Sequence, residues 1–111
     1  MKSIEREMNG AQLLNCYGMT EMSPVTFQTA FTDSFEKKTT TVGRVHPFVE
    51  AKVIGEDGSI LKRGERGELC FRGYNLMLGY WDDDKKTAEA VDAQGWMHSG
   101  DLGVLDEEGY M

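Results

Sequence analysis

From residue 49 onward the chain alternates in character. Val49, Ala51 and Val53 fall on one side of an extended segment and Glu50 and Lys52 on the other, the two-residue period of a half-buried strand. Glu56-Asp57-Gly58 supplies a turn, Ile60-Leu61 resumes extended chain, and residues 62–67 form a second, polar turn. Residues 68–72 read as another strand, closed by Gly73. Residues 96–99 and 102–105 read as strands on either side of Gly100-Asp101, and Asp106-Glu107-Glu108-Gly109 turns the chain once more. One helix interrupts the series. Asp82-Asp83-Asp84 offers a cap and a favourable charge at its start, and residues 85–91 carry Ala88, Ala90 and Val91. Trp81 and Trp96 are expected in the core.

The residues before this body are less regular. Ile4 and Met8 lie four apart, so residues 2–9 read as a short helix that Asn9-Gly10 stops. Residues 12–16, Gln-Leu-Leu-Asn-Cys, read as a buried strand. Its apolar residues are adjacent rather than alternating, which suits parallel pairing. Phe27, Phe31 and Phe35 recur every fourth residue, so a helical turn and an irregular crossing both fit there. The fold class is therefore α+β and β-rich. A short helix–strand entry leads into a distorted, barrel-like antiparallel sheet with one inserted helix. Residues 1–41 read as the end of an α/β subdomain and 42–111 as the β-rich subdomain. A parallel strand without neighbours, and a last strand only two residues long, point to a sheet that continues outside these residues. Loose packing, disorder, and self-association with another copy through that cut sheet are the alternatives for the entry segment.

Composition excludes several classes. The 111 residues carry a net charge of −7, the wrong sign for sequence-independent binding of nucleic acid. No apolar run approaches the ~20 residues that cross a bilayer. The charged N-terminus lacks the apolar stretch of a secretory signal. Cys16 and Cys70 are far apart, no Cys-x-x-Cys pair exists, and His46 and His98 are isolated. That spacing predicts neither a disulfide framework nor a zinc site, but two buried, reduced thiols in a cytoplasmic protein.

Two segments carry candidate chemistry. Tyr17-Gly18-Met19-Thr20-Glu21 follows the first strand directly. Gly18 permits close backbone approach to a ligand, Tyr17 offers a flat face to a base, Thr20 a hydroxyl to a phosphate, and Glu21 a carboxylate to Mg²⁺. A plain turn with a solvated Thr-Glu pair explains the same residues. Further on, Asp101 follows a glycine at a strand junction and can accept from both hydroxyls of a ribose. A local turn bond is the simpler reading. Nothing near His98 in sequence orients it as a base, and Gly64-x-x-Gly67 is only a turn.

In combination the segments say more. Tyr17-Gly18-Met19-Thr20-Glu21, Val42-Gly43-Arg44, Gly67-Glu68-Leu69, Arg72-Gly73, Gly79-Tyr80-Trp81, Lys86-Thr87, Gly95-Trp96, Ser99-Gly100-Asp101 and residues 106–110 occur in that order. This series resembles the adenylate-forming superfamily of acyl-CoA synthetases, luciferases and peptide-synthetase adenylation domains. Met19 and residues 72–81 are similar to the medium- and long-chain acyl-CoA synthetases.

The resemblance implies a ligase that converts a carboxylic acid and Mg·ATP into an acyl-adenylate, then passes the acyl group to coenzyme A. It assigns Tyr17, with Gly18 beside it, to adenine and Thr20 to the α-phosphate. Glu21 falls to Mg²⁺ and Asp101 to the ribose. Gly18 and Met19 border the acyl pocket, and Thr20 and Glu21 are the residues nearest the chemistry. The resemblance also marks the chain as an internal piece of the large N-terminal domain. The family's phosphate loop and its C-terminal domain lie outside it, so no adenylation is expected from it alone. An aryl-CoA ligase, another adenylate-forming branch, and a non-catalytic acidic module that binds a protein partner are the alternatives.

Overall fold

The computed structural model describes residues 2–111. In chain order these form α1 (Lys2–Glu7), β1 (Cys16–Gly18), a 3-10 turn (Thr20–Met22), β2 (Val25–Gln28), α2 (Phe35–Thr40) and β3 (Arg44–Val45). Then follow β4 (Val49–Ile54), β5 (Gly67–Gly73), α3 (Asp84–Ala90) and β6 (Met97–Gly103). The strands make two antiparallel three-stranded sheets, β1-β2-β3 and β4-β5-β6. The class is α+β and β-rich, as the alternation predicts. Both sheets stay open, so the barrel-like character stops short of closure.

The two-residue period of β4 sets the larger sheet. Val53 pairs with Leu69 and Ala51 with Phe71, while Phe71 pairs with Met97 across β6. Paired residues share a face, and that face is the core. Met22, Phe27, Val49, Val53, Leu69, Phe71 and Met97 bury together there. Phe71 joins the two sheets, meeting Phe27 edge to face with ring centroids 5.9 Å apart and Tyr17 at 5.8 Å. Each fully buried aromatic contributes about 1.5–3 kcal/mol by leaving water. The opposite face of the larger sheet is charged. Arg72 holds Glu50 at 2.6 Å, and Lys52 and Arg72 both lie over the Trp96 ring.

Local chemistry places the helices. The Asp83 carboxylate accepts from the Lys86 amide at 3.0 Å and starts α3, one residue before the sequence places the helix body. Ser34 caps α2 in the same manner, accepting from the Lys37 amide. The 106–109 turn forms as expected. Lys37 reaches across to Asp106 at 2.7 Å, and its ammonium lies 4.5 Å from the Tyr110 ring.

The first 40 residues depart from expectation. Residues 12–15 are not a strand. The strand begins at Cys16 and runs antiparallel to β2, not parallel to anything. Asn15 explains the shift, because its amide and side chain bond Thr29 Oγ1 and the Thr41 carbonyl, each at 2.8 Å. Those bonds fix the chain one residue before pairing starts, and Leu13 and Leu14 are left half-buried. Phe27, Phe31 and Phe35 share no helix. Phe27 lies buried in β2, while Phe31 and Phe35 are exposed.

Three further expectations are corrected. Cys16 is exposed and only Cys70 is buried. Trp81 is 97% exposed rather than a core residue. The two strands foreseen around Gly100-Asp101 are one strand, β6, with an irregular register against β5 between Glu68 and Cys70. Ile60 and Leu61 do resume extended chain, through one bridge from Ile60 to Ile54 and the Leu61 amide donating to the Val53 carbonyl at 2.8 Å. The chain end is held without a named strand: the Val42 amide donates to the Met111 carbonyl at 2.7 Å, and the Met111 amide to Gly43 at 2.9 Å.

Candidate nucleotide site

Tyr17 and Asp101 are 84 residues apart in sequence, and the fold joins them directly. The Tyr17 hydroxyl donates to Asp101 Oδ2 at 2.5 Å. Tyr17 reaches this point from β1, its ring held against Phe71 of the core. Asp101 reaches it from the far end of β6. The Ser99 hydroxyl sets that end by donating to the Leu69 carbonyl at 2.8 Å and accepting from the Asp101 amide at 3.1 Å. Gly100 takes a positive φ of 75° in between, with nothing near it, a conformation glycine adopts at little cost. Half-burial, and the bond to the Asp101 carboxylate after it, push the Tyr17 phenol up to about 12. Tyr17 therefore stays a neutral donor at neutral pH.

The pair borders an open cavity of about 470 Å³, with Asn15, Thr41, Gly103 and Met111 also in its wall. Small-molecule sites commonly span roughly 300–1,000 Å³. No Lys or Arg is among its lining residues. Donors in the wall come from hydroxyl and amide groups, and Asp101 is its charged acceptor.

Gly18, Met19, Thr20 and Glu21 follow Tyr17 in chain order but do not line this cavity. A Cβ at Gly18 would stand 1.8 Å from the Pro24 carbonyl oxygen, so the chain's own backbone already requires glycine there. Met19 donates its amide to the same carbonyl at 2.7 Å, which closes a tight loop around the exposed Thr20. Glu21 is half-buried, and its Oε1 accepts from the Tyr80 hydroxyl at 2.8 Å. That bond, ahead of burial, raises the Tyr80 phenol above its ordinary value. The structure thus brings Tyr17 and Asp101 together and sets Thr20 and Glu21 on the adjoining turn.

Sequence reading missed three residues. Tyr80 orients Glu21, and Ser99 orients Asp101. Both stand inside the ordered series of motifs, which was the available signal. His98 is the third and is not isolated. Its Nδ1 lies 3.3 Å from Glu68 Oε2 and 3.6 Å from Cys70 Sγ, and its Nε2 lies 3.2 Å from Asp92 Oδ2. Residues 68, 70, 92 and 98 show no motif spacing, so only strand register reveals the group.

Comparison with known proteins identifies the family. Residues 1–81 match the family described as AMP-binding enzyme. Over 99% of its length the chain is 46% identical to the acyl-CoA ligase sidI of Aspergillus fumigatus, covering 19% of that protein. It is 41% identical over 99% of its length to the mitochondrial medium-chain acyl-CoA ligase ACSF2 of Bos taurus, covering 18% of it. Among solved structures, a long-chain-fatty-acid-CoA ligase from Archaeoglobus fulgidus superposes with a TM-score of 0.77 at 37% identity, over 87% of this chain and 20% of that one. The chain belongs to the AMP-binding enzyme family. It spans about a fifth of the length of the curated relatives it matches.

Proposed function

We propose that these residues form the adenine- and ribose-binding part of the ATP site of an acyl-CoA synthetase. The parent reaction joins a carboxylic acid to ATP as an acyl-adenylate, releases pyrophosphate, and transfers the acyl group to coenzyme A. The observation that carries the reading is the Tyr17–Asp101 contact on the wall of one cavity.

Tyr17 presents its ring to adenine. Asp101 gives Oδ2 to Tyr17 and keeps lone pairs for the two ribose hydroxyls, since an ionised carboxylate has about four acceptor sites. Thr20, exposed on the next turn, donates to the α-phosphate. Gly18 and Met19 border the acyl group. Glu21 suits Mg²⁺: it is a hard-oxygen donor whose second oxygen does not share the Tyr80 bond. Bound there, Mg²⁺ would neutralise phosphate charge. Met19 and the run from Arg72 to Trp81 support a medium- or long-chain fatty acid as the substrate, and relatives named for both chain lengths agree with it. Two thiols with no disulfide between them fit a cytoplasmic placement. No described helix is long and apolar enough to cross a membrane.

The chain by itself does not catalyse adenylation. Charge neutralisation and positioning supply most of the rate in such transfers, and the cavity offers no cation to a triphosphate. ATP–pyrophosphate exchange with the purified 111 residues, Mg²⁺ and a fatty acid tests this. The expected result is exchange at the background rate. Turnover above background overturns it.

A further inference from the structure

The outward face of the larger sheet gathers a second chemical group, away from the Tyr17 cavity. Cys70 of β5 and His98 of β6 are directly paired across the strands. Glu68 stands two residues before Cys70 on β5, so the alternation of a strand puts it on the same face. One ligand atom from each of the three lies within 4.8 Å of the others. Zinc binds nitrogen at about 2.0–2.1 Å, sulfur at about 2.3 Å and carboxylate oxygen at about 2.0–2.2 Å, with tetrahedral angles. Those bonds set an N–S edge of about 3.5 Å and an N–O edge of about 3.3 Å. The observed separations from His98 Nδ1 are 3.6 Å to Cys70 Sγ and 3.3 Å to Glu68 Oε2.

A second observation comes from the other side of the ring. Asp92 Oδ2 lies 3.2 Å from His98 Nε2. A carboxylate on the remote nitrogen places the proton there and leaves the near nitrogen's lone pair for a cation, an arrangement that recurs at metal-binding histidines. With Nε2–H facing Asp92, the Nδ1 lone pair confronts the Glu68 carboxylate. The Cys70 thiol faces the same nitrogen, so a divalent cation seated among the three, in place of the thiol proton, would take all of them as ligands. Glu68 and His98 line a groove of about 740 Å³, beside Ile54, Arg66 and Leu102, with Cys70 buried behind them.

We propose that Glu68, Cys70 and His98 form a three-ligand site for a divalent cation of zinc's class. Its fourth position faces the groove. Such an ion would brace β5 to β6, the strand that also carries Asp101. The class of ion differs from the hard Mg²⁺ suited to Glu21.

Cobalt(II) titration of the 111-residue chain is the test, because thiolate coordination gives cobalt a near-ultraviolet charge-transfer absorption. The expected result is one equivalent bound with a dissociation constant of about 1 μM or tighter, displaced by Zn²⁺. Cys70→Ser abolishes the band, and Cys16→Ser leaves it. Asp92→Asn keeps the Oδ1 acceptor for the Gln94 and Trp96 amides and weakens binding about 10–100-fold. If Cys70→Ser fails to fold by circular dichroism, Asp92→Asn and His98→Asn decide the matter. Absence of the band in the unaltered chain overturns the proposal. So does a band that depends on Cys16, or one that survives loss of His98.

Discussion

Tyr17 does two things at once, and its hydroxyl separates them. Its ring packs on Phe71, and its oxygen reaches Asp101. Tyr17→Phe keeps the ring and removes the bond. A hydrogen bond to a charged group is worth about 1.5–3 kcal/mol when buried. Asp101 is exposed, so a loss of about 1 kcal/mol is expected from urea unfolding. The pH dependence has a definite sign. The folded pKa of Tyr17 is raised to about 12 from an ordinary value near 10. A raised pKa gives stability that is complete below the unfolded value and is lost as pH climbs through the folded one. The Tyr17 contribution should hold to about pH 10 and vanish toward pH 12. Tyrosinate absorbance checks it: the latest step of the wild-type titration should shrink in Tyr17→Phe. At this scale the sequence revealed identities more readily than partners. Tyr17 and Asp101 were singled out by residue type and motif. Tyr80 acts on Glu21 across 59 residues, and Ser99 ties Asp101 to the Leu69 carbonyl of the neighbouring strand; their presence in the motif series was legible, those partners were not.

Strand β5 is the element on which both faces depend. Its inward residues Leu69 and Phe71 build the core, and its outward residues Glu68 and Cys70 meet His98. Phe71→Ala removes a fully buried ring between the sheets and should cost about 3–5 kcal/mol in urea unfolding. It should also loosen the Tyr17 loop, so nucleotide affinity should fall although Phe71 does not line the cavity. Gly67, where the strand begins, is equally constrained. An added Cβ would lie 2.2 Å from the Ile54 carbonyl oxygen, so Gly67→Ala should destabilise by forcing β4 and β5 apart. The alternation in β4 was plain in the sequence because Val49, Ala51 and Val53 face the core while Glu50 and Lys52 are charged. Residues 12–18 were not, because Leu13 and Leu14 form an apolar pair without a period. The chain there is set by Asn15 and its bonds to Thr29 and Thr41, which are long-range contacts.

At the scale of the whole molecule, order is uneven. Helix α1 buries no residue, and residues 11–15 lie outside regular structure. The β4-β5-β6 sheet carries most of the core. Native-state hydrogen exchange should therefore show Leu13 and Leu14 amides exchanging much faster than those of Leu69 and Phe71. Equal protection in a monomer would contradict this. The family was legible from the order of its motifs along the chain, even though each motif alone reads as a turn.

The claim on which the rest depends is that one nucleotide touches both the Tyr17 loop and Asp101. An amide NMR titration of the 111-residue chain with ATP addresses it directly. The account predicts shifts at Tyr17, Gly18, Thr20 and Asp101 that follow a single isotherm, with a dissociation constant of about 1 mM, and that disappear together in Asp101→Ala. Shifts confined to other surfaces, or Tyr17 and Asp101 responding at separate ATP concentrations, would contradict it.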